Sequence, residues 1–142
     1  MKLSAKTEYA AIAMLELAAS YDQREPVRIR KIAEAHGIPS PFLVQILLQL
    51  KGAGYVSSTR GAAGGYQLAR PPDEISLGEI MNVIDGQDEL PPSSASRESV
   101  AARVLRRAWE EVDRVEREML GELTFADLVA RSKREAENMY YI

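Results

Sequence analysis

Ile29-Arg30-Lys31-Ile32-Ala33-Glu34-Ala35-His36-Gly37-Ile38-Pro39-Ser40-Pro41-Phe42-Leu43-Val44-Gln45-Ile46-Leu47-Leu48-Gln49-Leu50 is the stretch on which the fold turns. Ile29, Ile32 and Ala33 recur at helical spacing and stop at His36-Gly37, where glycine suits the left-handed residue that ends a helix. Ser40-Pro41 then offers an N-cap oxygen and a ring whose missing N–H costs nothing in a first turn, so another helix starts there. A connection of about four residues containing glycine is the mark of a helix-turn-helix. At about 100° per residue, Phe42, Leu43, Ile46, Leu47 and Leu50 fall on one side and are expected to pack inward. The opposite face shows Pro41, Val44, Gln45, Leu48 and Lys51. Gln45 is the candidate base reader, because its amide matches the adenine edge in a major groove. Val44 and Leu48 either touch thymine methyls or pack on a neighbouring surface.

Working outward, Ser4 precedes Tyr9, Ala13 and Leu17 at four-residue spacing, thickened by Ile12, Met14, Leu15 and Ala18, which predicts a largely buried first helix. The pattern breaks over Tyr21 to Pro26. On the other side, Gly54 to Ser58 and Tyr66 to Leu68 are short β-prone runs flanking Thr59-Arg60-Gly61-Ala62-Ala63-Gly64-Gly65, and they read as a two-stranded wing. Gly61, Gly64 and Gly65 allow positive φ and close approach of the backbone to another molecule, and Arg60 places a cation beside them. An arginine on such a tip suits a narrow minor groove, where negative potential is concentrated. A nucleotide-phosphate loop is set aside, since no helix opens after the glycines and no Lys-Ser/Thr follows them.

The 142 residues are the size of one compact domain, and no apolar run approaches the ~20 residues that cross a bilayer. A cytoplasmic protein with no membrane contact is expected. Zero cysteines remove disulfides, thiolate metal sites and cysteine nucleophiles together. With one histidine and no paired-carboxylate context, an enzyme is not expected. His36 and Glu8 are conceivable metal ligands, but a lone histidine at a helix end is read as structural, so neither metal nor cofactor is expected. Net charge is only -3, yet residues 1–72 hold nine Lys/Arg against five Asp/Glu, and residues 73–142 hold nine against sixteen. Either a basic functional face is joined to an acidic remainder, or a solvated acidic helix follows a half that is basic by chance.

The second half opens on Ser76-Leu77-Gly78-Glu79, a capping box for a short helix ending at Asp85-Gly86, with Ile80, Val83 and Ile84 turned to the core. Residues 87–96 are a polar, Pro/Ser-rich connection. From about 97 to 122 runs the longest helical pattern, with Val100, Val104, Ala108, Val112, Val115, Met119 and Leu123 in one stripe and Leu105, Trp109 and Leu120 beside it. This stripe is expected to pair with a second copy; the alternative is a monomer that buries it. Two-fold pairing suits DNA reading, because recognition helices must sit roughly 34 Å apart. The organisation expected is a winged helix-turn-helix over 1–72, then over 73–142 the short helix, connection, dimerisation helix and a C-terminal helix or tail, all in one compact unit. The fold class is mainly α with a small β-wing.

Lys2-Leu3-Ser4…Tyr9-Ala10, Ile32-Ala33-Glu34…Gly37-Ile38, Phe42-Leu43…Gln45-Ile46-Leu47…Leu50…Gly54-Tyr55-Val56 and Arg60-Gly61…Gly64-Gly65-Tyr66 resemble, in order and spacing, the Rrf-type (BadM/Rrf-two) winged helix-turn-helix transcriptional regulators. The likeness is continuous over residues 1–86 and looser through Trp109 to Leu123-Thr124-Phe125-Ala126-Asp127-Leu128. It implies that Lys2, Ser4, Lys6, Thr7 and Tyr9 lie near phosphate, that Ser40 to Lys51 read the major groove, and that Arg60, with Gly61, Gly64, Gly65 and Tyr66 around it, enters the minor groove. Arg28, Arg30 and Lys31 add backbone contacts, which fix register. The chain departs from the family where Val44 replaces a residue that is often acidic or polar, and where Leu48 to Gly52 is less polar. In sensing members, cysteines between the short helix and the pairing helix ligate an iron–sulfur cluster; Pro91, Arg97 and Arg103 stand at the matching positions here. The reading is a homodimeric, cluster-free regulator, a repressor on a palindromic operator in double-stranded DNA, with a small molecule or protein as its effector if it senses at all. The rival is a winged-helix adaptor that has lost DNA affinity.

Overall fold

The computed structural model describes residues 3–86, 94–95 and 99–140. Lys2 and nearly all of the 87–96 connection, with Pro91 and Arg97, lie outside the described residues. The order is α1 (Ala5–Ala19), α2 (Ile29–His36), α3 (Ser40–Gly52), β1 (Val56–Thr59), β2 (Gly65–Leu68), α4 (Leu77–Asp85), α5 (Val100–Glu122) and α6 (Phe125–Tyr140), with short 3-10 turns at Tyr21–Gln23 and Pro72–Glu74.

α1 runs through the middle. It is apolar on several sides because α3, α4, α6 and β2 all pack on it, and Ala10, Ala13, Met14 and Leu17 are sealed from solvent. α2 ends as expected at Gly37, whose φ of 65° is left-handed. Three residues separate it from α3. Pro39 occupies the cap position and Ser40 is already helical, so the expected Ser40 side-chain cap is not made. Leu43, Ile46, Leu47 and Leu50 are fully buried, while Phe42 is 51% exposed, contrary to the inward packing expected of it. In the first turn of α3 the Tyr9 ring stands against Phe42, with centroids 6.2 Å apart and planes tilted by 57°.

β1 and β2 pair antiparallel from Val56↔Leu68 to Thr59↔Gly65. Val27 extends this ribbon: its N–H donates to the Tyr66 carbonyl at 2.7 Å, and the Tyr66 N–H donates back at 2.8 Å. α4 begins on the Ser76 hydroxyl, which accepts the Glu79 N–H at 3.1 Å. A bridge between Ser76 and Thr124 clamps the start of α4 to the α5–α6 junction: Leu77 N–H donates to Leu123 O, and Phe125 N–H to Ile75 O. Gly78 lies close to the same junction, where a Cβ would stand in tight contact, 3.2 Å from the Leu120 backbone.

α5 is 23 residues long, and none of them is buried. Val100, Val104, Leu105, Trp109, Val112, Val115 and Met119 are each at least half exposed, so the chain does not bury this stripe against itself. α6 is longer than the sequence reading implied. Phe125, in its first turn, is fully buried, and Leu128 and Val129 pack against the core. Among the described residues, no helix is long and apolar enough to cross a membrane.

A reciprocal box starts α6: Thr124 N–H donates to the Asp127 carboxylate, and Asp127 N–H to the Thr124 hydroxyl, both at 3.1 Å. The Thr124 backbone and side-chain hydrogen bonds hold the Asp127 carboxyl below its ordinary value of 3.8. A depressed carboxyl stabilises the fold fully above its unfolded pKa and loses that contribution as pH falls through the folded one. Asp127→Asn is therefore expected to be less stable than the parent at neutral pH, with the gap closing below about pH 4, as read by urea denaturation across pH.

Candidate nucleic-acid interface

α3 is seated on its buried leucines and isoleucine, which turns Pro41, Val44, Gln45, Leu48 and Lys51 to solvent with Ser40 at its start. Val44 is 41% and Leu48 54% exposed, and with Phe42 they make the surface of the helix more apolar than the sequence reading allowed. Lys51 is not loose. Its Nζ donates to the Ser58 hydroxyl at 2.7 Å, tying the last turn of α3 to β1.

α2 carries Arg28, Arg30 and Lys31 at its start, all exposed or half-exposed, with no acidic residue in that turn and no side-chain cap. A helix N-terminus bearing three cations and its own positive dipole end is a setting that favours an anion. Arg30 pairs with Glu34 at 2.9 Å, an exposed i,i+4 contact of small energetic weight. At the other end of α2, His36 bonds Glu16 of α1 at 2.8 Å, a contact between neighbouring helices.

The wing places Arg60 in the open, in no ion pair among the described residues. Gly61 has φ 107° and free space around it, as an approach to another molecule requires. Gly64 and Gly65 serve a different purpose. Gly64 is buried in the turn, and a Cβ on Gly65 would lie 2.6 Å from the Val27 carbonyl oxygen, so their close approach is to the chain itself. Tyr66 is half-buried, with its backbone spent on Val27. Below the wing, the Arg70 guanidinium lies 4.7 Å from the centroid of the Tyr55 ring. Burial, with the Glu79 carboxylate accepting from the Tyr55 hydroxyl, pushes that phenol up, and Arg70 opposes the shift. The wing base is thus joined to α4.

At the start of α1, Ser4 and Lys6 reach the surface and Tyr9 is half-buried. Thr7 is fully buried and has no surface to offer a phosphate, which corrects the expectation for that residue. Its hydroxyl donates instead to Asp85 at 2.6 Å. Asp85 and Phe42 are the residues of this region that sequence reasoning missed.

A family model described as Rrf2, iron-dependent transcriptional regulator, matches residues 3–131. The chain belongs to the Rrf2 family. The HTH-type transcriptional regulator CymR of Bacillus subtilis is 33% identical over 143 residues, covering 100% of both chains. HTH-type transcriptional regulator IscR of Aliivibrio salmonicida is 42% identical over 85 residues, 60% of this chain and 50% of that protein. Among solved structures, CymR, the global cysteine regulator of B. subtilis, superposes with a TM-score of 0.80 at 31% identity, covering 92% of this chain and 98% of that one. IscR of T. potens gives 0.76 at 36% identity, covering 93% and 88%. Rrf2 members are transcriptional regulators, not enzymes, and the winged-helix architecture is the one expected.

The family description names iron, and the donor set here does not suit a thiolate-ligated cluster. The chain has no cysteine and a single histidine, already bonded to Glu16. Among the described residues no three His, Cys, Asp or Glu side chains converge to hold a metal ion.

Gly65→Ala is expected to open the Val27–Tyr66 pair, with a loss of about 1–3 kcal/mol in unfolding free energy and faster amide exchange at Val27 and Tyr66. Unchanged exchange at both amides would count against the close approach.

Proposed function

We propose that this Rrf2-family regulator binds double-stranded DNA sequence-specifically, as a cluster-free homodimer that represses from a palindromic operator in the cytoplasm. The observation that carries DNA binding is the exposed face of α3, with Gln45 between Val44 and Leu48, accompanied by the cations Arg28, Arg30 and Lys31 on α2 and Arg60 on the wing. Gln45 suits an adenine edge, Val44 and Leu48 suit thymine methyls, and the cations suit phosphates and the minor groove. Ser4, Lys6 and Tyr9 extend the contact along the start of α1, and Lys2, which precedes them in the sequence, adds a further cation. Absent thiolate donors support a regulator whose input is a small molecule or a protein.

Homodimer formation is supported by α5. Its first nine residues carry Arg103, Arg106 and Arg107 and no acid, whereas Glu110 to Glu122 carry six acids and two arginines. That order opposes the helix's own dipole, which favours acids at the N-terminus and bases at the C-terminus. An antiparallel second copy sets each basic half beside an acidic one and covers Val104, Ala108, Trp109, Val112, Val115 and Met119. Val112→Asp, at the centre of the stripe, is expected to yield a folded monomer by sedimentation equilibrium. A Val112→Asp protein that stays dimeric would move the interface elsewhere.

Gel shifts on selected DNA fragments over a salt series test DNA binding. Affinity is expected to fall steeply with salt, and Arg60→Ala is expected to weaken binding by about 1–3 kcal/mol. The exposed Phe42, Val44 and Leu48 favour one rival, an adaptor that binds protein through α3; salt-insensitive or absent DNA binding is its signature.

A further inference from the structure

Asp85 closes α4 and lies against the start of α1. Its two carboxylate oxygens accept from two hydroxyls, Ser4 Oγ at 3.0 Å and Thr7 Oγ1 at 2.6 Å. Ser4 Oγ in turn accepts the Thr7 N–H at 3.1 Å, capping α1. The Thr7 proton is committed to the carboxylate, while the Ser4 proton is shared between Asp85 and Thr7 Oγ1, 2.9 Å away, and the Ser4 oxygen still accepts from the backbone. At the end of its own helix an acid faces the negative pole, which is unfavourable; at the start of α1 it faces the positive pole. Thr7 is sealed from solvent, and a buried hydroxyl is tolerated only when bonded. Hydrogen bonds to an ionised acceptor are the strong ones, so the contact behaves as a latch between α4 and α1.

We infer that Asp85 is a positioning residue for DNA binding: by fixing Ser4 and Thr7 it sets where the first turn of α1, with Lys6 and Tyr9, meets the phosphate backbone. This rests on the reading of the chain as a DNA binder.

The experiment compares the parent with Asp85→Asn, Thr7→Val and Thr7→Ser. Each is checked for folding and dimer mass, then titrated by fluorescence anisotropy against one DNA site selected with the parent, across salt. Asp85→Asn and Thr7→Val should each weaken binding about tenfold. The slope of log affinity against log salt should fall by about one for every phosphate that the variant fails to neutralise. Thr7→Ser should restore the parent values. The double variant Asp85→Asn with Thr7→Val should be no weaker than either alone, and amide exchange should accelerate at residues 5–8 and not in α3. Parent affinity and salt slope in folded Asp85→Asn would overturn the inference, as would additive losses in the double variant. A parent that binds no DNA fragment overturns the DNA-binding reading and this inference with it, a result distinct from an unaffected variant of a binding parent.

Discussion

The burial of α1 is the constraint on which the other elements depend. Alanines at positions 10, 13 and 18 give this helix a thin waist, and thin waists let neighbours come close from several directions at once. α3, α4, α6 and β2 all use that access, with Met14 and Leu17 filling the space the alanines leave. A larger residue at Ala10 or Ala13 would push apart elements that are placed through this one helix. α3, the wing and the C-terminal helix thus share a single support.

The polar groups follow the same logic. Thr7 and Ser76 are the buried polar residues among those described, and each stands at the start of a helix. Ser76 caps α4 at one end, and Asp85 reaches Thr7 from the other, so both ends of α4 are tied by hydrogen bonds that a shift of a residue would break. Between them Glu79 meets Tyr55 below the wing. α4 contributes no group to the proposed DNA face, yet it is tied to the elements that do.

Local chemistry was legible where signal and consequence lie close in the chain. Gly37 ends α2, Ser76 caps α4, and Leu43, Ile46, Leu47 and Leu50 of α3 turn inward, all as spacing and residue type predict. Phe42 was misjudged because periodicity assigns a face without saying how far along the helix its support extends. The length of α6 was not legible, since the residues that pack on the core, Phe125, Leu128 and Val129, span barely one turn before the charged residues begin. Asp85 could not be paired with Thr7 from sequence, because the two are 78 residues apart and an acid in a last helical turn looks solvated. Gly64 and Gly65 were seen, but the neighbour of Gly65 is Val27, a contact that only the folded ribbon creates.

That last contact has a mechanical consequence. Because Val27 pairs with Tyr66 immediately before α2 begins, the wing is bound to the helix-turn-helix along one edge and is not a free flap. Its base is anchored again by Lys51 from α3 and by Arg70 across Tyr55. The span from α3 to the wing therefore behaves as a fixed gauge; under the proposed DNA reading, a duplex whose grooves do not match it must itself deform to be held.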